Sequence, residues 1–154
     1  MPGLRDYEVS LLKLVDKITN GSKITINETG TSVSFQPGQL TGGKISHDCA
    51  ISRSVVYYLE VVAVLAPFCK DPLILQLKGS THESADNSVD IFRSVTVPLL
   101  AKLGVANNEE AKLNFKIVTR STHDTSGIVI FTCPIIKAVL PLDLSNEGLV
   151  KRVR

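Results

Sequence analysis

The sequence predicts an α+β domain in which helices pack on mixed or antiparallel sheet. Three features carry that expectation: helical periodicity at two places in the chain, strictly alternating strand pairs, and the recurrence of one helix–strand–strand order. Leu4, Tyr7, Leu11, Leu14 and Ile18 fall at spacings of three and four, one face of an amphipathic helix. Asn20-Gly21 is read as its stop, because glycine takes the left-handed conformation that helix ends often need. Residues 23–27 and 31–35 then alternate as strands, with Glu28-Thr29-Gly30 as a tight hairpin turn. Pro37-Gly38 closes the second strand, and Gly42-Gly43 opens a loop into Lys44-Ile45-Ser46.

From Ser52 to Phe68 the chain is apolar almost all round, with Arg53 and Glu60 as its only charges, so it is expected to be a helix buried on most faces. Leu73 to Lys78 reads as a strand and Gly79 to Asn87 as a polar loop. Val89, Phe92, Thr96, Leu99 and Leu103 mark another amphipathic helix, stopped by Gly104 and locally broken at Pro98. Leu113, Phe115 and Ile117 alternate as a strand, and Ile128 to Cys133 returns as its hairpin partner. Helix, glycine stop and hairpin thus occur over 4–35 and again over 89–133, a duplicated α-β-β order around the buried helix and strand of 52–78. Residues 1–134 are read as one α/β repeat region. Residues 135–154 are read as the start of a further element: apolar Ile135 to Leu142, a turn at Ser145 to Gly148, and a basic end. Both ends are expected to fall inside structure, so the domain is read as truncated.

Composition narrows the function. The chain has 154 residues, 44% hydrophobic and 21% charged, enough to bury a core. A net charge of only +2 does not announce a nucleic-acid binder, and with no Trp and 5% aromatics a base-stacking surface is poorly supplied. Cys49, Cys69 and Cys133 are odd in number and widely spaced, which predicts neither disulfides nor a zinc site but three reduced core thiols in a reducing compartment. The longest apolar run, Val61 to Phe68, is far short of a membrane span, so no membrane partner is expected.

The three histidines, His47, His82 and His123, are placed in loops or strand ends and read as solvated. Two lie in repeated Ser-Thr-His triplets, at 80–82 and 121–123, and all three precede an acid, but adjacency does not make a catalytic pair. No catalytic residue, metal ligand or cofactor is assigned. Gly42-Gly43 precedes a strand rather than joining a strand to a helix, which argues against a phosphate-cradling loop. The basic residues Arg5, Lys13, Lys17, Lys23 and Lys44, with Lys151, Arg152 and Arg154 at the end, read first as a solvated surface. Of these, Lys13, Lys17, Lys23, Lys44 and Arg152 are the candidates for contact with an RNA backbone.

Several segments in order bear on a family: Pro2-Gly3-Leu4-Arg5-Asp6-Tyr7-Glu8, Ile18-Thr19-Asn20-Gly21-Ser22, Thr29-Gly30-Thr31, Gln36-Pro37-Gly38, and Gly42-Gly43 with His47-Asp48-Cys49. Tyr57-Tyr58-Leu59-Glu60, Leu65-Ala66-Pro67-Phe68, Leu77-Lys78-Gly79, Ser88-Val89-Asp90 and Pro98-Leu99-Leu100 continue the series. Together they resemble the RNA 3′-terminal phosphate cyclase superfamily, and within it the cyclase-like branch, over nearly the whole chain. The resemblance implies repeated units of two helices on a four-stranded sheet, plus a small inserted domain. True cyclases use ATP and adenylate a histidine; the resemblance implies that this histidine lies beyond residue 154. It also implies a protein without cyclase activity, which binds a nucleolar GTPase and pre-ribosomal RNA in small-subunit rRNA processing. Its location would be the nucleus and nucleolus. The alternatives are an RNA 3′-phosphate cyclase, an endoribonuclease, or a truncated product with no role. Two departures stand out. The Pro- and Gly-rich turn of the family reads Ser121-Thr122-His123-Asp124-Thr125-Ser126-Gly127 here, and Glu60 stands near the position of a polar nucleotide-site residue.

Overall fold

The structure, a computed structural model, describes residues 3–105, 112–142 and 145. Helix α1 (Asp6–Ile18) opens with the Arg5 backbone N–H donating to the Glu8 carboxylate at 2.7 Å and buries Leu14 and Ile18. It ends at Ile18, before the expected glycine stop, because the Thr19 hydroxyl donates back to the Val15 carbonyl at 2.9 Å and the chain turns extended. Residues Thr19–Asn20 (β1) pair with Gln39–Leu40 (β4). Gly21, at φ 80°, turns the chain into the first hairpin instead.

That hairpin joins β2 (Lys23–Ile26) to β3 (Val33–Gln36) and forms a sheet of its own. Its turn is wider than the expected Glu28-Thr29-Gly30. Asn27 organises residues 27–32: its backbone N–H reaches the Ser32 carbonyl, and its side chain bonds Thr29, Thr31 and the Ser32 N–H. One face carries Ile24, Ile26, Val33 and Phe35; the other carries Lys23, Thr25, Ser34 and Gln36.

The main sheet is four-stranded and mixed, in the order β5 (Gly43–Asp48), β6 (Leu73–Gly79), β8 (Gly127–Cys133), β7 (Asn114–Thr119). β5 and β6 run parallel, joined through α2 (Val55–Leu65) and a 3₁₀ turn at Ala66–Phe68. The remaining pairs are antiparallel. Burial alternates strictly along β6 and its neighbour β8, so one face packs on the helices. Gly42 makes the β5 approach possible: it sits at φ +77°, and a Cβ there would strike the Asp71 carbonyl and the Cys69 side chain.

α2 is capped by the Ser54 hydroxyl, which accepts from the Val56 N–H. It is buried on most sides, as its composition predicts, leaving Glu60 and Val64 exposed. The helix expected over 89–103 is broken as Pro98 requires. Residues Val89–Ile91 (α3) pass through a π turn at Phe92–Thr96 into Val97–Lys102 (α4). Gly104, at φ +90°, ends it: its N–H bonds the Ala101 carbonyl and the Val105 N–H bonds that of Leu100, the two bonds of a Schellman motif.

The core joins Leu14 and Ile18 of α1, α2, the inner rows of β6 and β8, and Phe92, Phe115 and Phe131 in edge-to-face contact. All three cysteines are buried with free thiols. Of residues 135–142, Ile136 and Leu140 donate backbone N–H bonds to Pro67 and Leu103, so this segment crosses the ends of the helices. Apart from Ser145, the expected turn and basic end lie outside the described residues. The α-β-β order thus recurs as expected, but only the second hairpin joins the large sheet. No described helix is long and apolar enough to cross a membrane.

Candidate nucleic-acid interface

α1 lies along the outer edge of β5, and that packing gathers part of the predicted basic set. With Leu14 and Ile18 turned into the core, Lys13 and Lys17 are exposed. The Lys17 ammonium donates to the Ser46 backbone carbonyl at 3.0 Å. Lys44 lies two residues before Ser46 on the same face of β5. Lys23 does not join them; it sits on the polar face of the first hairpin, opposite Gln36. Arg152 lies outside the described residues.

Beneath this edge is a buried polar group that the sequence did not reveal. His47 was expected in a loop or strand end as a solvated residue, but it occupies the inner face of β5 at 5% exposure. The strand extends through it because β5 pairs in parallel with β6 out to Asp48 and Lys78. Its Nε2 hydrogen-bonds the Ser10 hydroxyl of α1 at 2.9 Å. Burial lowers its basicity and the Lys17 charge adds to that; Asp48 acts the other way, and Lys13 lowers it further. The fold therefore favours the neutral ring. The unfolded chain binds a proton near the ordinary histidine value of about 6.5 that the folded ring resists. Stability is thus full above that pH and falls as pH drops below it. The thermal midpoint is expected to fall more between pH 7.5 and 5.5 in the native chain than in His47→Gln, and equal slopes would refute this account.

The open face of the main sheet carries more cations than the sequence reading assigned to it. Across the strands its rows read Lys44–Ile74–Thr132–Asn114, then Ser46–Gln76–Ile130–Lys116, then Asp48–Lys78–Ile128–Thr119. Lys44, Lys78 and Lys116 are all exposed. Each sits directly opposite an isoleucine: Ile74, Ile128 and Ile130 respectively. Lys78 and Lys116 were missed as a set although the signal was present: both sit at the even positions of strands whose odd positions are apolar.

The two Ser-Thr-His triplets converge at one end of the same sheet. Thr81 and Ser121 exchange hydrogen bonds, with the Thr81 N–H on the Ser121 hydroxyl and the Ser121 N–H on the Thr81 hydroxyl, each at 2.9 Å. His82 and His123 line an open cleft of about 590 Å³ with Ser80, Thr122 and Asp124. Both rings are exposed, and His123 Nδ1 is 3.1 Å from Asp124. His47 does not line this cleft. Among the described residues no group of three or more His, Cys, Asp or Glu is placed to hold a metal ion. Burial pushes the Cys49 and Cys133 thiols up to about 12, which suits packing rather than nucleophilic attack. Glu60 is exposed and accepts a bond from the Asn87 amide at 3.2 Å.

Comparison with known proteins adds a second line. A family model described as RNA 3′-terminal phosphate cyclase matches residues 1–143. The chain is 45% identical over 154 residues to the human RNA 3′-terminal phosphate cyclase-like protein, covering 99% of this chain and 40% of that protein. It is 42% identical to a Drosophila melanogaster protein named as a probable RNA 3′-terminal phosphate cyclase-like protein, over 99% of this chain and 39% of the relative. It is 41% identical to the rRNA processing protein rcl1 of Schizosaccharomyces pombe, over 99% of this chain and 42% of the relative. The chain therefore spans about two fifths of the length of these relatives.

Proposed function

The chain belongs to the RNA 3′-terminal phosphate cyclase family, and from that membership we propose that it acts without catalysis in ribosome biogenesis, in small-subunit rRNA processing in the nucleolus. The observation that carries this reading is the likeness, over nearly the whole chain, to cyclase-like proteins, one of them named for rRNA processing. The chemistry of the described residues points the same way. A nucleophilic site needs a nucleophile, a base and a third group that orients the base, around space for a substrate. Here the half-buried Ser10 of α1 and the buried His47 of β5 bond each other but do not line the cleft of the two exposed histidines. The exposed histidines line a cleft of hydroxyl groups whose Ser121 is committed to the buried Thr81. The partners proposed are pre-ribosomal RNA and a nucleolar GTPase of small-subunit assembly; the location is the nucleus.

Affinity capture of the tagged chain from nuclear extract tests this. Retention of small-subunit rRNA precursors and of a GTPase is expected, with no ATP-dependent cyclisation of a 3′-phosphorylated oligonucleotide. Capture of no precursor, or measurable cyclisation, would overturn the reading.

A further inference from the structure

We infer that the open face of the four-stranded sheet is a track for single-stranded RNA, held at the phosphates by Lys44, Lys78 and Lys116. The inference rests on the proposed role in rRNA processing and names the surface that would serve it.

The strand register places these three residues on one face of three different strands. Neighbouring strands lie about 4.8 Å apart, and residues two apart along a strand about 6.7 Å apart. Lys44 and Lys116 are separated by three strand spacings, and Lys44 and Lys78 by two rows and one strand. Both spans come to about 14–16 Å on those spacings. That is far more than the ~3.4 Å rise of a stacked nucleotide, so each ammonium takes a different phosphate. Lys17, bonded to the Ser46 carbonyl at the rim, adds a fourth positive charge to the field. Asp48, beside Lys78, is the only acid in the three rows.

The composition of the face selects the partner. Each isoleucine stands directly opposite a lysine, so every apolar side chain of the three rows has a lysine stem beside it. A dry protein interface would have to bury those ammonium groups, which is costly without paired acids. A polyanion meets them while they stay hydrated. No aromatic residue lies in the three rows, so bases gain little by stacking and binding follows the backbone. Ser46, Gln76, Asn114 and Thr132 lie between the lysines and supply hydroxyl and amide groups that can bond 2′-hydroxyls and exposed base edges.

The test is fluorescence anisotropy of the whole chain with a labelled oligouridine, titrated between about 50 and 200 mM salt. Three phosphate contacts on a single strand give a log–log salt slope of about −2. The variant Lys44→Gln/Lys78→Gln/Lys116→Gln is expected to bind at least about tenfold more weakly at low salt and to lose most of that slope. Lys102→Gln/Lys137→Gln, on α4 and in the segment after β8, is expected to bind as the native chain does. A cooperative melt of each variant separates lost contacts from lost fold. The inference is overturned if the native chain does not bind, if the triple variant binds as well as native, or if Lys102→Gln/Lys137→Gln loses as much. It is equally overturned if the triple variant loses precursor capture while still binding oligouridine, which would make the face a protein contact. Oligouridine binding through this face without any precursor capture would sink the ribosomal role and leave the RNA track standing.

Discussion

Arg53→Ala is expected to destabilise the fold by about 3 kcal/mol, the lower end of the cost of stranding one partner of a buried ion pair. Arg53 Nε and Nη2 both donate to the Asp86 carboxylate, which also accepts the Ser54 N–H at 2.9 Å. The Asp86 side chain is 6% exposed and that of Arg53 25% exposed. The guanidinium carbon lies 4.4 Å from the Tyr57 ring centroid and 5.1 Å from that of Tyr7. One side chain thus ties α1, the start of α2 and the loop before α3. The hydrogen bonds from Arg53, helped by the Ser54 N–H, hold the Asp86 carboxyl below its ordinary range. Removing the arginine leaves that charge in place with one donor. Lys in the same position keeps a charge but loses the fork and the stacking, so Arg53→Lys should recover only part of the loss. Urea denaturation decides it: a change below about 1 kcal/mol for the alanine variant would show that water replaces the pair at little cost.

Phe131→Ala should cost as much or more, about 3–5 kcal/mol. Phe131 is fully buried on the inner face of β8, opposite Phe115 in register. The Phe92 ring, on the π turn, lies 5.8 Å from that of Phe131 and 5.0 Å from that of Phe115. The cavity would open where the broken helix meets the sheet, so neither layer can close it by a side-chain shift alone. Total stabilities of about 5–15 kcal/mol leave little margin after such a loss. Phe131→Leu fills most of the space and should lose about 1 kcal/mol. Equal midpoints for the two variants in urea would mean that the aromatic cluster does not hold the helix to the sheet.

The elements that were legible in the sequence are those whose cause is local. The break at Pro98, the stop at Gly104 and the nearly all-buried α2 each follow from side chains within a turn or two. The strand at Leu73 to Lys78 was legible too, one residue short of its end at Gly79. What was not legible depends on residues far apart in sequence. Nothing in Gly43 to Asp48 says that its partner is a parallel strand reached only through α2, and so His47, placed in a loop or strand end, was taken for a solvated residue. The first hairpin alternates as cleanly as the second, yet its separation from the main sheet is decided by packing. The basic set was read by position along the chain, which grouped Lys23 with Lys17. The sheet instead groups Lys44 with Lys78 and Lys116, from strands joined only by register.

The strand order also sets which pairing is hardest to make. β7 and β8 are joined by a short turn, and β5 reaches β6 across a single helical crossover. β6 meets β8 only by matching Leu73 with Cys133 and Gly79 with Gly127, the longest loop closure in the sheet. That junction lies at the centre, between the two strands richest in buried leucine, valine and phenylalanine. A chain that has formed its local pieces therefore still presents two apolar strand edges to its surroundings. The period before they meet is when a second chain can compete for them, so temperature and protein concentration during expression bear on yield more than the finished fold would suggest.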